Sequence, residues 1–487
     1  MGAMKALSRS VLKELTRILG ERGVRADAGA QSAYESDGFM LERAAPAVVV
    51  LPRTTEEAAQ AIRVLREAGL VIVPRGAGTG LSGGARPVSG GAVLGTARMR
   101  EVLEVNEVDR YARVQAGVVN VNLSRACDAA GLFYAPDPSS QAACTIGGNV
   151  GNNSGGPHGF RYGSTTRHVL GLTLVDAEGE ITELGGAFPD PRHGYDLLGA
   201  LIGSEGMLGL VTEATVRLLP QPETVETLLC LFEDLDACCD AVSEMIARRL
   251  EPSAIEIIDR LTIEAVEASV LRAGYPANAE AVLLIEVEGG ADEVAATSED
   301  IIGVATEFGA FDTRRTSDPV ARKKLWAGRK GSFGAMGRIA PDLYVADVVV
   351  PRTRLRHIVQ IAAEACTSRG LRLANVLHAG DGNLHPNISY DRRNAEEVSR
   401  VLEAAGIIMQ ACVDAGGSLT GEHGVGLEKQ KEMCMLFSND DLEAMKALKA
   451  AFDPAEFWNP GKMIPVRGCR EIHTKPLPSN GSTEVLL

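Results

Sequence analysis

Val376-Leu377-His378-Ala379-Gly380-Asp381-Gly382-Asn383-Leu384-His385-Pro386-Asn387 decides how the second half of this chain folds. Asp-Gly between strand-like runs is the strongest short-range signal for a two-residue hairpin turn, because such turns need positive φ. With Asp381-Gly382 as that turn, Gly380 pairs with Asn383, Ala379 with Leu384 and His378 with His385. The two imidazoles then stand opposite one another on one face, with Cβ atoms about 4.5–5.5 Å apart. Downstream, Gly421-Glu422-His423-Gly424 puts a carboxylate and an imidazole in a glycine-rich bend. His378, His385 and Glu422 make a three-ligand set with open positions, the pattern of a catalytic rather than a structural metal. Nitrogen and carboxylate donors suit zinc first, then manganese or iron(II). The plainer alternative is two histidines that flank a surface turn or bond each other.

The chain has 487 residues, enough for two or three domains. Its 45% hydrophobic content and mean hydropathy of +0.02 fit a globular enzyme with a sizeable core. A net charge of −15 with no basic block argues against nucleic acid and against an anionic membrane surface. No run approaches a transmembrane span, and the N-terminus lacks the apolar region of a secretory leader. A cytoplasmic chain is expected, peripheral to the inner membrane only through a partner. Nine scattered cysteines without a C-x-x-C predict reduced, structural thiols and no iron–sulfur cluster in this chain.

Glycine accounts for 53 residues and clusters at 76–91, 147–163, 199–209, 380–382 and 416–426. Pro74-Arg75-Gly76-Ala77-Gly78-Thr79-Gly80-Leu81-Ser82-Gly83-Gly84 follows a strand-like run and formally contains G-x-G-x-x-G and G-x-S-x-G. Both fingerprints must open a helix, and Pro87, Gly90 and Gly91 follow instead, so neither a Rossmann site nor a hydrolase elbow is expected. What remains is a nest of N–H groups and hydroxyls that could hold a pyrophosphate without a helix dipole. A second loop offers more donors: Pro136, Asp137, Ser139, then Thr145-Ile146-Gly147-Gly148, then Asn152, Ser154, Gly155 and Gly156. Tight turns alone are the alternative for both.

The periodicity predicts α+β structure with much antiparallel pairing. Helices are expected over 4–20, 55–68, 123–130, 235–249, 292–309, 353–369, 396–415 and 440–451. Strands are expected over 47–51, 70–73, 92–96, 102–105, 112–116, 171–176, 209–219, 224–232, 254–258, 281–287 and 346–351. Pro220-Gln221-Pro222 is the boundary, past which strands and helices interleave as in a ferredoxin-like sheet. The tail from Glu471 has no periodicity and reads as loose.

In order, these loops, Gly203-Ser204-Glu205-Gly206, the hairpin, Gly421–Gly424 and Asn459-Pro460-Gly461-Lys462 resemble FAD-linked oxidases of the vanillyl-alcohol-oxidase (PCMH) type. The likeness covers about residues 30–465 and is nearest the branch containing glycolate oxidase subunits and D-lactate and D-2-hydroxyglutarate dehydrogenases. The resemblance implies a two-subdomain PCMH-type FAD-binding domain over 1–220 and a ferredoxin-like cap over 221–430. A C-terminal helical segment, 431–470, would return to the first domain, leaving 471–487 as the tail. It implies that both glycine loops bind FAD, with Glu205, Gly206, Gly209 and Val211 toward ribose and adenine, and Asn459 on the returning segment. The first loop has no histidine or cysteine, so the FAD is expected to be noncovalent, with His158 the alternative attachment point.

The resemblance further assigns His378, His385 and Glu422 as metal ligands, His423 as the base, Asn387 as a substrate-holding residue and Arg329 as the carboxylate clamp. A planar guanidinium suits a carboxylate, although Arg329 also lies in a basic stretch, Arg322–Lys330, that reads as surface. The reaction implied takes a small 2-hydroxy acid to the 2-oxo acid, with hydride passing to flavin N5. The 2-hydroxyglutarate enzymes carry a lysine just ahead of the strand that here reads Tyr344-Val345-Ala346-Asp347, and none stands there, which favours a monocarboxylate. An iron–sulfur partner would accept the electrons, and a homodimer is left open. A metal-dependent hydrolase is the alternative from another class.

Overall fold

The computed structural model describes residues 7–188 and 194–465. The start of the expected first helix and the whole tail from Glu471 lie outside the described residues.

The N-terminal half carries two sheets. In the first, Val48–Val50 and Ile72–Arg75 both pair in parallel with Ala92–Gly95, and Val24–Arg25 adds an antiparallel edge. The helix Thr55–Glu67 packs on it. Thr54 caps that helix by accepting from the Glu57 N–H, Glu56 and Glu57 suit its positive end, and Gly69 follows it at φ 71°. Its Ala58, Ile62 and Leu65 are fully buried, each of the larger two contributing about 1.5–3 kcal/mol. Val102–Asn106, Tyr111–Gln115, Leu210–Arg217, Val169–Val175 and Ile181–Gly185 form a five-stranded antiparallel sheet.

The chain returns to the first sheet at its end. Trp458 bridges Ile72 in parallel, with Ile72 N–H on the Phe457 carbonyl at 2.9 Å and Asn459 N–H on the Ile72 carbonyl at 2.8 Å. The Trp458 ring is fully buried among Leu19, Ile62 and Leu65 in the core of this unit.

Residues from Thr224 onward build a larger antiparallel sheet. Its first four strands, Thr224–Phe232, Ala254–Asp259, Ala281–Gly289 and Ala310–Thr316, lie in the spatial order 4-1-3-2, the ferredoxin-like arrangement. Arg372–His378, Asn383–Tyr390 and Asp342–Val345 extend it from Ala254–Asp259.

Alternation along the strands gives this sheet two different faces. Leu228, Cys230, Ile257, Leu283, Ile285, Leu377 and Ile388 lie beneath the helices Leu235–Ala247, Ala291–Glu307, Leu355–Thr367 and Ala395–Asp414. The opposite face is apolar at Leu229, Ile258, Val282, Leu284 and Val376, covered by Arg260–Glu267, Pro319–Lys330 and Ser332–Met336. The same face also carries Thr227, Glu256, Glu286, Glu288, His378 and His385, all buried.

The hairpin register departs from expectation by two residues. His378 pairs with Asn383 and Val376 with His385, so the turn is the four-residue Ala379–Gly382 rather than Asp381-Gly382 alone. Neighbouring elements set it: Gly380 N–H bonds the Ile255 carbonyl, Val350 N–H bonds the Gly382 carbonyl, and Asp381 accepts from Asn383 N–H. A Cβ on Gly382 (φ 82°) would sit 2.2 Å from the Val350 carbonyl oxygen. A shift of two preserves the face, and both imidazoles still meet.

Cys127, Cys144, Cys230, Cys238, Cys239, Cys366 and Cys412 are free and buried. Among the described residues no helix is long and apolar enough to cross a membrane. Trp458→Ala is expected to destabilise the N-terminal unit by about 3–5 kcal/mol and to loosen its hold on cofactor. Unchanged thermal unfolding would contradict this role for the returning segment.

Candidate functional site

A large cavity runs from the two glycine loops to the polar face of the larger sheet. All of Pro74, Arg75, Gly76, Ala77, Gly78, Thr79, Gly80, Leu81 and Ser82 line it. No helix follows Arg75 before the strand Ala92–Gly95, which is why the G-x-G-x-x-G there is not a Rossmann turn. The Arg75 guanidinium turns away, to the Ser36 carbonyl at 2.8 Å and the Ala85 carbonyl at 3.3 Å. The second loop differs from expectation, since Thr145 caps a helix, Ile146–Asn152, by accepting from Gly148 N–H. The two loops touch: a Cβ on Gly76 would lie 2.4 Å from Thr145 Oγ1.

Ser139, Thr145, Gly147, Gly148, Asn152, Ser154, Glu205, Gly206, Gly209 and Val211 also line the cavity. Six expected cofactor residues stand behind it. Ile146 is core, the Pro136 carbonyl accepts from Asn120, Gly156 packs on Asp137, and Gly155 packs on Glu422. The Asn459 amide holds the carbonyls of Gly84 and Glu205 at 2.9 and 2.8 Å. Asp137 pairs with His158 and Lys330 at 2.9 and 2.8 Å. Both His158 ring nitrogens are engaged by carboxylates, Asp137 and Glu286. The Glu205 carboxylate is occupied by the N–H groups of Val425 and Gly426 at 2.7 and 2.9 Å.

A long, glycine-walled cavity with backbone donors at both loops suits a dinucleotide cofactor. Thr96 Oγ1, on a residue of its wall, is buried without a partner among the described residues, as a group reserved for a bound molecule would be.

At the far end, His378 Nε2 and His385 Nε2 approach Glu422 Oε1 at 3.2 and 3.4 Å. The rings of His378 and His385 meet edge to face with centroids 5.0 Å apart. His378 Nδ1 is held by Glu256 Oε1 at 2.6 Å, and His385 Nδ1 lies 3.7 Å from Asp347 Oδ1. A carboxylate behind each imidazole, with both Nε2 atoms and one carboxylate oxygen converging, is the arrangement that orients metal-ligating histidines. The donor set fits a divalent ion.

His423 stacks on His385 with centroids 5.0 Å apart and planes 9° from parallel. Its carbonyl accepts from Ser82 Oγ at 3.0 Å and Asn152 Nδ2 at 2.9 Å, tying the bend at Glu422 and His423 to both glycine loops. Arg329 is 2% exposed, not a surface cation; it pairs with Glu256 Oε2 at 2.5 Å and lines the cavity, and its Nε has no partner among the described residues. Asn387 is buried on the hairpin with its amide on the His385 carbonyl at 2.7 Å, off the cavity wall.

Protonation follows from these pairings. Burial alone depresses the His378 imidazolium, but Glu256 and then Glu422 outweigh it and lift the group to about 10. Burial pushes Glu422 up, but hydrogen bonds from His378 and His385 hold it well below the carboxylate range. His423 is pushed down to about 4 by burial, against the pull of Asp347, so its imidazole is neutral at neutral pH.

Sequence reasoning missed Glu256 and Asp347. Each was legible as a lone carboxylate inside an apolar strand run, Ala254-Ile255-Glu256-Ile257-Ile258 and Val345-Ala346-Asp347-Val348-Val349. A buried charge there needs a partner.

Residues 46–185 match the family described as FAD binding domain, and residues 221–463 match FAD linked oxidases, C-terminal domain. The chain is 43% identical over 451 residues to glycolate oxidase subunit GlcD of Escherichia coli (strain K12), covering 91% of this chain and 90% of that protein. It is 38% identical to GlcD of Bacillus subtilis (strain 168) over 94% and 97% of the two chains. It is 32% identical to a D-lactate dehydrogenase of Anaerostipes hadrus over 86% and 90%. In fold it is similar to p-cresol methylhydroxylase, with a TM-score of 0.79 at 17% identity over 95% and 98% of the chains. The chain belongs to the FAD-linked oxidase family. Within it, this protein is an FAD-dependent oxidoreductase.

Glu256→Gln should strand Arg329 as a buried charge without its counter-ion, destabilising the larger unit by about 3–5 kcal/mol. Wild-type unfolding in that variant would mean Arg329 has another partner.

Proposed function

We propose that this chain oxidises a small D-2-hydroxy acid of the glycolate or D-lactate type to the 2-oxo acid, using noncovalent FAD. The carrying observation is that Arg329, His423 and the His378–His385–Glu422 set converge at one end of the glycine-lined cavity. The names of the GlcD and D-lactate dehydrogenase relatives support the substrate class. We take 1–220 and the returning 431–470 segment as the FAD-binding unit and 221–430 as the cap. His158 is engaged at both ring nitrogens, which supports noncovalent binding.

Arg329, one amino group of which is held by Glu256, offers its Nε, without a partner among the described residues, to the substrate carboxylate. His423 stands as a neutral imidazole beside the ligand set, able to take the hydroxyl proton as general base. A divalent ion on His378, His385 and Glu422, zinc before manganese or iron(II), would supply Lewis acidity toward the substrate oxygen. FAD, held by both glycine loops, supplies the two-electron oxidant. The bend at Glu422 and His423 closes against Ser82 and Asn152, limiting water at the reacting end.

Lys330, on the cavity wall, is already engaged by Asp137, and Lys429 is fully buried against Asp347. This supports a monocarboxylate over D-2-hydroxyglutarate. The relatives' description as a subunit supports a partner chain that takes the electrons onward, an iron–sulfur protein by chemistry. The hydrolase alternative leaves the FAD-binding domain without a use.

Anaerobic mixing with glycolate, D-lactate, L-lactate and D-2-hydroxyglutarate tests the substrate. Flavin absorbance should bleach with one of the first two, and bleaching by D-2-hydroxyglutarate alone would reverse the ranking. Arg329→Lys should cut kcat/KM by at least tenfold while FAD stays bound; near-normal turnover would move the carboxylate clamp elsewhere. His378→Ala or His385→Ala should strip bound metal and abolish substrate bleaching in protein that stays yellow. Chelation should reproduce that state and added metal reverse it. Active protein free of metal by elemental analysis would sink the ligand assignment.

A further inference from the structure

The basic stretch Arg322–Lys330 contains more than Arg329. Arg322, Trp326 and Lys330 recur at four-residue spacing on the helix Pro319–Lys330, which places them on one stripe. That stripe grips a buried polar cluster between the two units. Arg322 pairs with Glu286 at 3.0 Å, Lys330 pairs with Asp137 at 2.8 Å, and the Trp326 ring lies 5.6 Å from the His158 ring, tilted 35°. His158 is the centre of the cluster. Its Nδ1 meets Asp137 at 2.9 Å from the FAD-binding unit, and its Nε2 meets Glu286 at 3.1 Å and Glu288 at 3.8 Å from the larger sheet. Tyr162 hydrogen-bonds Glu288, and Thr227 Oγ1 bonds Glu286 at 3.0 Å. Arg161, exposed, bonds the Glu288 carbonyl.

His158, Glu286 and Glu288 also satisfy the proximity rule for a metal site. Charge decides against that reading. Asp137, Glu286 and Glu288 carry three negative charges, and Arg322, Lys330 and a protonated His158 balance them. A cation in place of the His158 proton would leave the buried cluster positively charged. Burial disfavours the imidazolium, but Asp137 and Glu286 lift it to about 10, and they are held down in turn.

We propose that His158 is a positioning residue for the substrate-carboxylate clamp: by docking the Arg322/Trp326/Lys330 stripe onto both units, it fixes the rotation of the helix whose next face presents Arg329 to the cavity. Arg329 immediately precedes Lys330, so a turn of the helix that loosens the Lys330–Asp137 pair also moves the guanidinium. This rests on Arg329 being the carboxylate clamp.

The test uses FAD-loaded full-length protein and 2-hydroxyisobutyrate, a 2-hydroxy acid with no hydrogen on C2, which binds without being oxidised. Its affinity is read from the flavin difference spectrum. His158→Gln should raise its Kd about tenfold and raise KM more than it lowers kcat, with FAD content unchanged. In the His158→Gln/Arg329→Lys double variant the losses should not add, because both changes remove one contact. Asp137→Asn, which keeps the shape, should repeat the pattern and serves where His158→Gln folds poorly. Unchanged Kd and KM, or losses that add fully, overturn the proposal. So does loss of an equivalent of metal from His158→Gln, which would make the cluster a metal site. A neutral Arg329→Lys instead overturns the clamp reading, and the positioning role with it; an impaired Arg329→Lys beside an additive or silent His158→Gln overturns the positioning role alone.

Discussion

The end of the cavity lined by His385, Glu422 and His423 depends on one buried carboxylate. Asp347 is fully buried and accepts from Thr420 Oγ1 at 2.6 Å and from the N–H groups of Gly421, Glu422 and His423 at 2.9, 3.1 and 2.9 Å. Lys429, also fully buried, reaches its carbonyl at 2.9 Å and its Oδ2 at 3.4 Å. Burial raises a carboxyl group, but Lys429 and the Thr420 hydroxyl oppose it, and Asp347 stays well below the carboxylate range. Successive N–H groups turned toward one anion form a nest, and a nest dictates backbone shape. The bend at 420–423 therefore has one shape, aiming Glu422 at both histidines and laying His423 over His385. A Cβ on Gly421 would lie 2.4 Å from the Asn383 side chain, so the bend also needs its glycine.

A second carboxylate does similar work where the two units meet. Glu205 accepts from Val425 and Gly426, just past the bend, while its own carbonyl is held by Asn459. Lys462 donates to the Gly84 carbonyl at 2.7 Å, and burial, against the pull of Asp37, depresses it to about 7. With the His423 carbonyl on Ser82 and Asn152, these contacts join the glycine loops, the bend at 420–426 and the returning segment into one polar seam. The two ends of the cavity are thus joined through backbone hydrogen bonds.

Much of the fold is legible from local pattern. The strand 224–232 and the helices near 235–249, 292–309 and 396–415 lie where periodicity predicts them. The glycine loop after Arg75 lacks a following helix, as Pro87, Gly90 and Gly91 require. The helix opening at Thr145 was hidden by its Gly147-Gly148 pair, whose low helix propensity is overcome by the Thr145 cap and by packing of Ile146 and Val150 in the core. The strand expected over 346–351 is instead split into Asp342–Val345 and Val348–Val349, both paired with Asn383–Tyr390, and the break at Ala346-Asp347 leaves no punctuation in the sequence.

The candidate site divides the same way. The sequence by itself determined the donor types, the glycine positions and the fact that His378 and His385 share a face, because a strand's period of two survives any even change of register. Only the tertiary structure decided that His378 faces Asn383, that Glu256 backs His378 and pairs Arg329, that Asp347 organises the bend, and that Arg329 is buried while its neighbour Lys330 joins His158 through Asp137. Those outcomes turn on which buried charge finds which partner across long stretches of chain. Desolvation makes an unpaired charge costly wherever it falls, and local sequence does not say which distant group will answer it.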